Sequence, residues 1–233
     1  MVWTSLKSDL AHRSDDPKER QEADDHMGLL TPVVKGMLTD VGFANAVAAQ
    51  QVYGGHGYIA ETGVEQFVRD ARIAMIYEGA NGIQALDLVG RKLGRDGGRA
   101  ITAFFNEVAA FAKDNSADEA MKPYIAPLST SIKDLQQATM WLMQNAMAKP
   151  DNAGAASTDY LHLFGLVALG YMWARMAKVA QDKLANAGEQ PYLKTKLVTG
   201  KFFMERMLPE TSLRLSRIQT GAGSMMELPA EAF

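Results

Sequence analysis

Leu30-Thr31-Pro32-Val33-Val34-Lys35-Gly36-Met37-Leu38-Thr39-Asp40-Val41 opens the stretch that decides the fold. Its apolar residues continue through Ala44, Ala48 and Val52 in steps of three and four, which places them on one face of a helix. Thr31 ahead of Pro32 reads as an N-cap with proline at the first helical position, so a helix is expected to begin here. Upstream, Asp16-Pro17 with Glu19 reads as another helix start, after a first helix over about 2–13 and a turn at Ser14-Asp15. Period-two alternation is nowhere sustained in the sequence and β-branched residues are scattered. The expected class is therefore all-α, a helical bundle followed by a second helical bundle.

Further along, a helix is expected from near Thr62 through Val64, Phe67, Val68, Ala71 and Met75, stopped by Gly79. Asn81 is placed to cap the next, whose apolar face would be Ile83, Leu86, Leu88, Val89 and Leu93. Gly94 and Gly97-Gly98 break the pattern, which divides the chain into domains at about 1–95 and 96–233. In the second part helices are expected over about 100–115, 117–148, 158–187, 192–208 and 210–220, with Lys149-Pro150-Asp151-Asn152-Ala153-Gly154 as the clearest loop.

Composition narrows the function classes. With 24 Lys and Arg against 27 Asp and Glu, and 47% hydrophobic residues over 233, this is an ordinary globular balance. No clustered basic excess marks a nucleic-acid partner. The absence of cysteine removes thiolate metal sites, iron–sulfur clusters and a cysteine nucleophile, and it suits a reducing, cytoplasmic location. The start Met1-Val2-Trp3-Thr4-Ser5-Leu6-Lys7-Ser8-Asp9 does not read as a secretory signal. The most apolar stretch, 160–174, carries His162 and falls short of the roughly 20 residues a bilayer span needs, so a buried helix and no membrane association are expected.

Two features stand out from the helical background. In Gln51-Val52-Tyr53-Gly54-Gly55-His56-Gly57-Tyr58, three glycines in four positions follow directly on a helix, where they permit close backbone approach to a phosphate or ring or simply form a cap and turn. In Tyr77-Glu78-Gly79-Ala80-Asn81-Gly82-Ile83-Gln84, the carboxylate of Glu78 sits at a helix C-terminus. Partial negative charge on the terminal carbonyls there, with burial against Met75, Ile76 and Tyr77, would raise its pKa in the direction a general base needs. A solvated loop glutamate is the plainer alternative.

Together, Gln-x-x-Gly-Gly-x-Gly-Tyr, then Arg69-Asp70-Ala71-Arg72-Ile73, then Ile-Tyr-Glu-Gly-x-Asn-x-Ile-Gln resemble the C-terminal helical domain of acyl-CoA dehydrogenases over about 30–95. The helices beyond resemble the extra C-terminal domain of the longer bacterial members. The resemblance implies that Glu78 is the base that removes the α proton of an acyl-CoA while the β hydrogen leaves as hydride to FAD, giving a trans-2-enoyl-CoA. It implies that Gln51, Gly54 and Gly55 meet the adenine and pyrophosphate side of FAD, generally that of a neighbouring subunit, and that Gly79 allows close approach of substrate. Ala80, Asn81 and Gly82 fall at flavin-contact positions. Ala80 stands where many members carry a threonine whose hydroxyl meets the flavin, and Gly82 where several carry glutamine, which leaves Asn81 as the polar substitute. An electron-transfer flavoprotein as electron acceptor, a homo-oligomeric state of two or four copies and a place in fatty-acid β-oxidation belong to the same implication. Nothing before residue 30 resembles the family's N-terminal helical and middle β domains, so the chain is expected to be a C-terminal piece that neither holds FAD tightly nor turns over substrate alone. The alternative is a non-catalytic oligomerisation or docking module that retains the flavin-site sequence.

The remaining candidates are weaker. His12, His26, His56 and His162 are scattered, Asp24-Asp25-His26 points in different directions on a helix, and no metal site is expected. Met140, Met143 and Met147 recur at helical spacing and are expected to fill a core. Met225, Met226 and Leu228 form an apolar tail suited to docking on another subunit. Arg91, Lys92 and Arg95 read as a solvated face able to approach a CoA phosphate.

Overall fold

The computed structural model describes residues 1–146, 148–188 and 190–232, and among them there is no strand. The chain divides into two compact units, Met1–Gly97 and a second from Gly98 onward. Asp96, Gly97 and Gly98 lie consecutively at positive φ, of 50°, 69° and 78°, and this left-handed turn ends the first unit.

Helix α1 (Val2–Arg13) folds back along α2 (Pro17–Val52), with the Trp3 and His26 rings edge to face at 4.0 Å. The start of α2 follows from its sequence: Asp16 caps by accepting from Lys18 N–H at 2.9 Å, and Pro17 sits at the first position. The second start expected at Thr31-Pro32 does not exist. Pro32 lies inside one continuous 36-residue helix, and Thr31 donates its hydroxyl back to the Met27 carbonyl at 2.7 Å instead of capping. An internal proline costs about 3 kcal/mol. Here it is outweighed by burial on both sides of it of Leu29, Leu30, Val33 and Met37, each contributing about 1.5–3 kcal/mol.

These side chains form the first core together with Ala23, Ala85, Leu88 and Leu93. Ala85 lies on α4 (Asn81–Asp87), Leu88 opens the π-helical turn Leu88–Lys92 that continues it, and Leu93 follows that turn. Of the face expected for this helix, Leu88 and Leu93 are buried, whereas Ile83 and Leu86 are 57% and 46% exposed. The C-terminal part of α2, from Leu38 on, and all of α3 (Val64–Ala74) form a helical hairpin without a single buried apolar side chain.

In the second unit, α5 (Arg99–Asp114), α6 (Lys122–Asn145), α8 (Pro191–Arg206) and α9 (Glu210–Thr220) surround α7 (Pro150–Ala187). Helix α7 is long and apolar enough to cross a bilayer, yet its most apolar stretch is the middle of this core. The Phe164 ring packs tilted against Phe104 of α5 at 4.8 Å, and the buried Tyr160 hydroxyl bonds Thr139 of α6 at 2.7 Å. Burial pushes the Tyr160 phenol above its ordinary range, so the group is a fixed neutral tie between helices. Gly200 lets α8 approach closely: a Cβ there would stand 3.1 Å from the Trp173 ring and 3.2 Å from Tyr124.

The loop expected at 149–154 is helix from Pro150 onward. Proline at the first position and Asp151 in the first turn both favour a helix start, and Asn152 reaches across to accept from Ala222 N–H at 3.0 Å. The methionines expected in the core are also corrected: Met140 and Met143 lie on the outer face of α6, 54% and 49% exposed, while Met147 lies outside the described residues. Met225, Met226 and Leu228 are exposed beyond α9.

Candidate functional site

The two features singled out in the sequence lie at opposite ends of α3. At 1.5 Å per residue the 11 residues of α3 span about 16 Å. At the near end, Gly54–Gly57 form a single 3₁₀ turn directly after α2. Gln51, Gly54 and Gly55 are exposed, and a Cβ at either glycine would meet nothing within 4 Å, so the backbone is open to a ligand from outside. Gly54 lies at a positive φ of 59°, and Gly57, to which sequence reasoning gave no role of its own, is the glycine that space requires. A Cβ there would stand 2.4 Å from the Gln50 carbonyl oxygen, and the Gln50 amide donates to the Gly57 carbonyl at 3.1 Å.

At the far end, α3 stops at Ala74 and the chain turns through 75–80 into α4. The turn is closed by the Asn81 N–H donating to the Met75 carbonyl at 3.2 Å. Glu78 and Gly79 are consecutive left-handed residues, with φ of 54° and 83°. For a non-glycine residue that conformation costs about 1–2 kcal/mol, so the surroundings must hold it. Gln84 does so by donating to the Glu78 carbonyl at 3.2 Å, and Lys35 of α2 by donating its ammonium to the Gly79 carbonyl at 2.8 Å.

The partial burial expected for Glu78 is not found. Glu78 is exposed, as are Ile76 and Tyr77, because no element of the first unit packs over the turn from the outside. Gly79, Ala80 and Gly82 are exposed with it, and Ala80 occupies the N-cap position of α4 without a side-chain cap.

Asn81 is not the cap either. Its amide faces inward to α2, donating to Asp40 Oδ1 at 2.6 Å, Thr39 Oγ1 at 2.9 Å and the Gly36 carbonyl at 3.1 Å, and accepting from Lys35 Nζ at 2.7 Å. Because an ammonium only donates, the atom facing Lys35 is the amide oxygen, which fixes the orientation of the group. A side chain so occupied has no donor left for a flavin. Lys35, Thr39, Asp40 and Gln84 are the site residues that sequence reasoning missed. The one available signal was Lys35 itself, a lone charge in the apolar run from Val33 to Leu38.

Around these turns lies an apolar surface without cover. Tyr53, Tyr58, Ile59, Phe67, Ile73, Ile76, Tyr77, Ile83 and Leu86 are all more than 40% exposed. A hairpin that presents so much apolar area belongs against something else.

A helical first unit carrying a glutamate on a braced left-handed turn, followed by a helical second unit, defines the class. Two family models match the chain: "Acyl-CoA dehydrogenase, C-terminal domain" over residues 14–94, and "Acetyl-CoA dehydrogenase C-terminal like" over residues 104–229. The chain belongs to the acyl-CoA dehydrogenase family. Similar proteins include the 3-methylmercaptopropionyl-CoA dehydrogenase of Ruegeria pomeroyi, 38% identical over 94% of this chain and 37% of its own length. The broad-specificity linear acyl-CoA dehydrogenase of Mycobacterium tuberculosis is 29% identical over 88% of this chain and 35% of its own. A butyryl-CoA dehydrogenase of Syntrophomonas wolfei is 28% identical over 100% of this chain and 39% of its own. The chain thus spans little more than a third of the length of these relatives.

Proposed function

We propose that this chain forms the helical C-terminal part of an FAD-dependent acyl-CoA dehydrogenase, with Glu78 as the base in α,β-dehydrogenation of an acyl-CoA thioester to the trans-2-enoyl-CoA. The observation that carries this reading is the Glu78 turn: a carboxylate presented outward on a backbone that costs energy to hold, with exposed apolar side chains on either side of it. Such strain concentrates at functional sites. Covering the apolar rim would desolvate the carboxylate and raise its basicity, which is what abstraction of a weakly acidic α proton requires.

The residues present fit FAD in part. Gln51, Gly54 and Gly55 offer an exposed amide and an unobstructed backbone suited to the nucleotide, and Gly82 leaves open space beside the base. Ala80 has no hydroxyl to give, and the Asn81 amide is committed to α2. FAD bound there would supply the acceptor for the β hydrogen, taken as hydride. The chain's own part is to hold the Glu78 carboxylate at the α carbon and receive the proton. By the family resemblance the glycine turn would meet the flavin of a neighbouring subunit, in keeping with a homo-oligomer, and α3 stands between that turn and Glu78 along the chain. Electrons would pass on to an electron-transfer flavoprotein.

Because the apolar rim is open, the 233 residues alone neither retain FAD tightly nor turn over substrate. The purified chain mixed with FAD should stay colourless, and bound yellow flavin that bleaches with butyryl-CoA or 3-methylmercaptopropionyl-CoA would overturn that statement. In the complete FAD-loaded dehydrogenase, Glu78→Gln should keep the flavin colour and abolish its reduction by acyl-CoA. Reduction at the wild-type rate would reject Glu78 as the base and favour a non-catalytic helical docking module.

A further inference from the structure

We propose that Lys35 is a positioning residue for Glu78: its ammonium, carried on a helix 44 positions away in sequence, holds the Gly79 carbonyl and the Asn81 amide together and so fixes the peptide planes that aim the carboxylate. The inference rests on the reading of Glu78 as the base.

The turn has few ways to hold its shape by itself. Its two left-handed residues are unfavourable locally, and α4 begins only after it. Contacts from α2 and α4 determine it instead. The Glu78 carbonyl is held by Gln84 at 3.2 Å, the Gly79 carbonyl by Lys35 at 2.8 Å and by Gln84 at 3.4 Å, and the Met75 carbonyl by the Asn81 N–H at 3.2 Å. With the carbonyls on both sides of Gly79 turned inward, the Glu78 side chain is left directed out of the turn and into the open surface.

Lysine suits this task by its geometry. A compact ammonium on a long stem donates to two oxygens at once, 2.8 and 2.7 Å away, which a planar guanidinium or a neutral amide in the same place would do less well. The Asn81 amide extends the arrangement, its oxygen toward the Lys35 cation and its nitrogen toward the Asp40 anion at 2.6 Å, so that the amide dipole lies between opposite charges in its favourable sense. Lys35 and Asn81 are partly buried, which strengthens each of these bonds relative to the surface. Lys35 touches no reacting atom in this arrangement, and it acts through the backbone of Gly79.

The test is Lys35→Met, which keeps the stem and removes the donors, in the complete FAD-loaded dehydrogenase. Stopped-flow reduction of the flavin by butyryl-CoA should slow about ten- to hundredfold, the cost of an ångström-scale misplacement, while the Kd for butyryl-CoA changes less than about threefold. Amide hydrogen exchange over 75–84 should rise in the same protein, and Lys35→Arg should recover part of both. Gln84→Leu removes a half-buried partner of the same turn and gives the same direction if Lys35→Met does not fold. A folded Lys35→Met or Gln84→Leu protein that reduces its flavin within about twofold of the wild-type rate would overturn the proposal. Glu78→Gln is measured alongside. Undiminished reduction in that variant rejects the base, and the role of Lys35 with it, whereas its loss beside a normal Lys35→Met rejects only the positioning.

Discussion

Replacing Asn81 by leucine removes the hydrogen bonds of one side chain while nearly keeping its volume. Two of these bonds are charge-assisted, one accepted from the Lys35 ammonium at 2.7 Å and one donated to the Asp40 carboxylate at 2.6 Å, and the bonds to Gly36 and Thr39 are neutral. Charge-assisted bonds contribute about 1.5–3 kcal/mol each, and the lower end applies at this partly buried site. Thr39 keeps its bond to the Lys35 carbonyl at 2.7 Å, so its hydroxyl is not left without a partner. The expected cost is about 3 kcal/mol, concentrated where α4 meets α2. Because the chain has two compact units, a global melt would mix their responses, and segment-resolved hydrogen exchange is the better assay. Protection of amides over 75–93 should fall about a hundredfold, while that of α7 in the second unit stays unchanged. Protection over 75–93 within about threefold of wild type would refute the claim that the Asn81 amide, rather than apolar packing of Leu88 and Leu93, fixes the start of α4.

Three further outcomes are expected. Burial against Trp3, with a smaller contribution from Lys7, lowers the His26 pKa to about 4 from 6.5, so between these values the unfolded chain binds the proton that the folded chain refuses. The first unit should therefore lose about 2 kcal/mol on going from pH 7 to pH 5, read as a falling urea midpoint that His26→Gln flattens, and a midpoint constant over that range would contradict the burial argument. Gly57→Ala places a methyl 2.4 Å from a backbone oxygen and should destabilise the first unit by about 2 kcal/mol in the same urea titration. Gly55→Ala, with nothing within 4 Å, should leave that titration unchanged and weaken FAD retention in the proposed complete dehydrogenase, and unaltered flavin binding there would remove Gly55 from the proposed nucleotide site.

Much of the fold was legible because helices are written in local periodicity. The α1 span, the Asp16-Pro17 start of α2 and the last helix follow from spacings and caps that act within a few residues. Where the structure departs from local expectation, the cause is shared. Thr31-Pro32 reads as a helix start and Lys149-Pro150 as a loop, yet only Pro150 starts a helix, because burial of Leu29, Leu30, Val33 and Met37 carries α2 through Pro32. Periodicity likewise identified faces on α4 and α6 without telling which side has a neighbour, so Ile83, Leu86, Met140 and Met143 are exposed where a core was expected.

The candidate site divides the same way. The sequence by itself determined that Glu78 and Gly79 follow a helix, that glycines break the chain after α2, and that the pattern is that of the acyl-CoA dehydrogenases. It could not show that Gly57 rather than Gly54 or Gly55 is sterically required, since that depends on the Gln50 carbonyl folding over it. Nor could it join Lys35 to Gly79 and Asn81, which lie 44 and 46 positions on. Local preferences decide where a helix can form, but contacts between distant residues exist only once the helices have packed, and the bond from Lys35 to the left-handed Gly79 is such a contact.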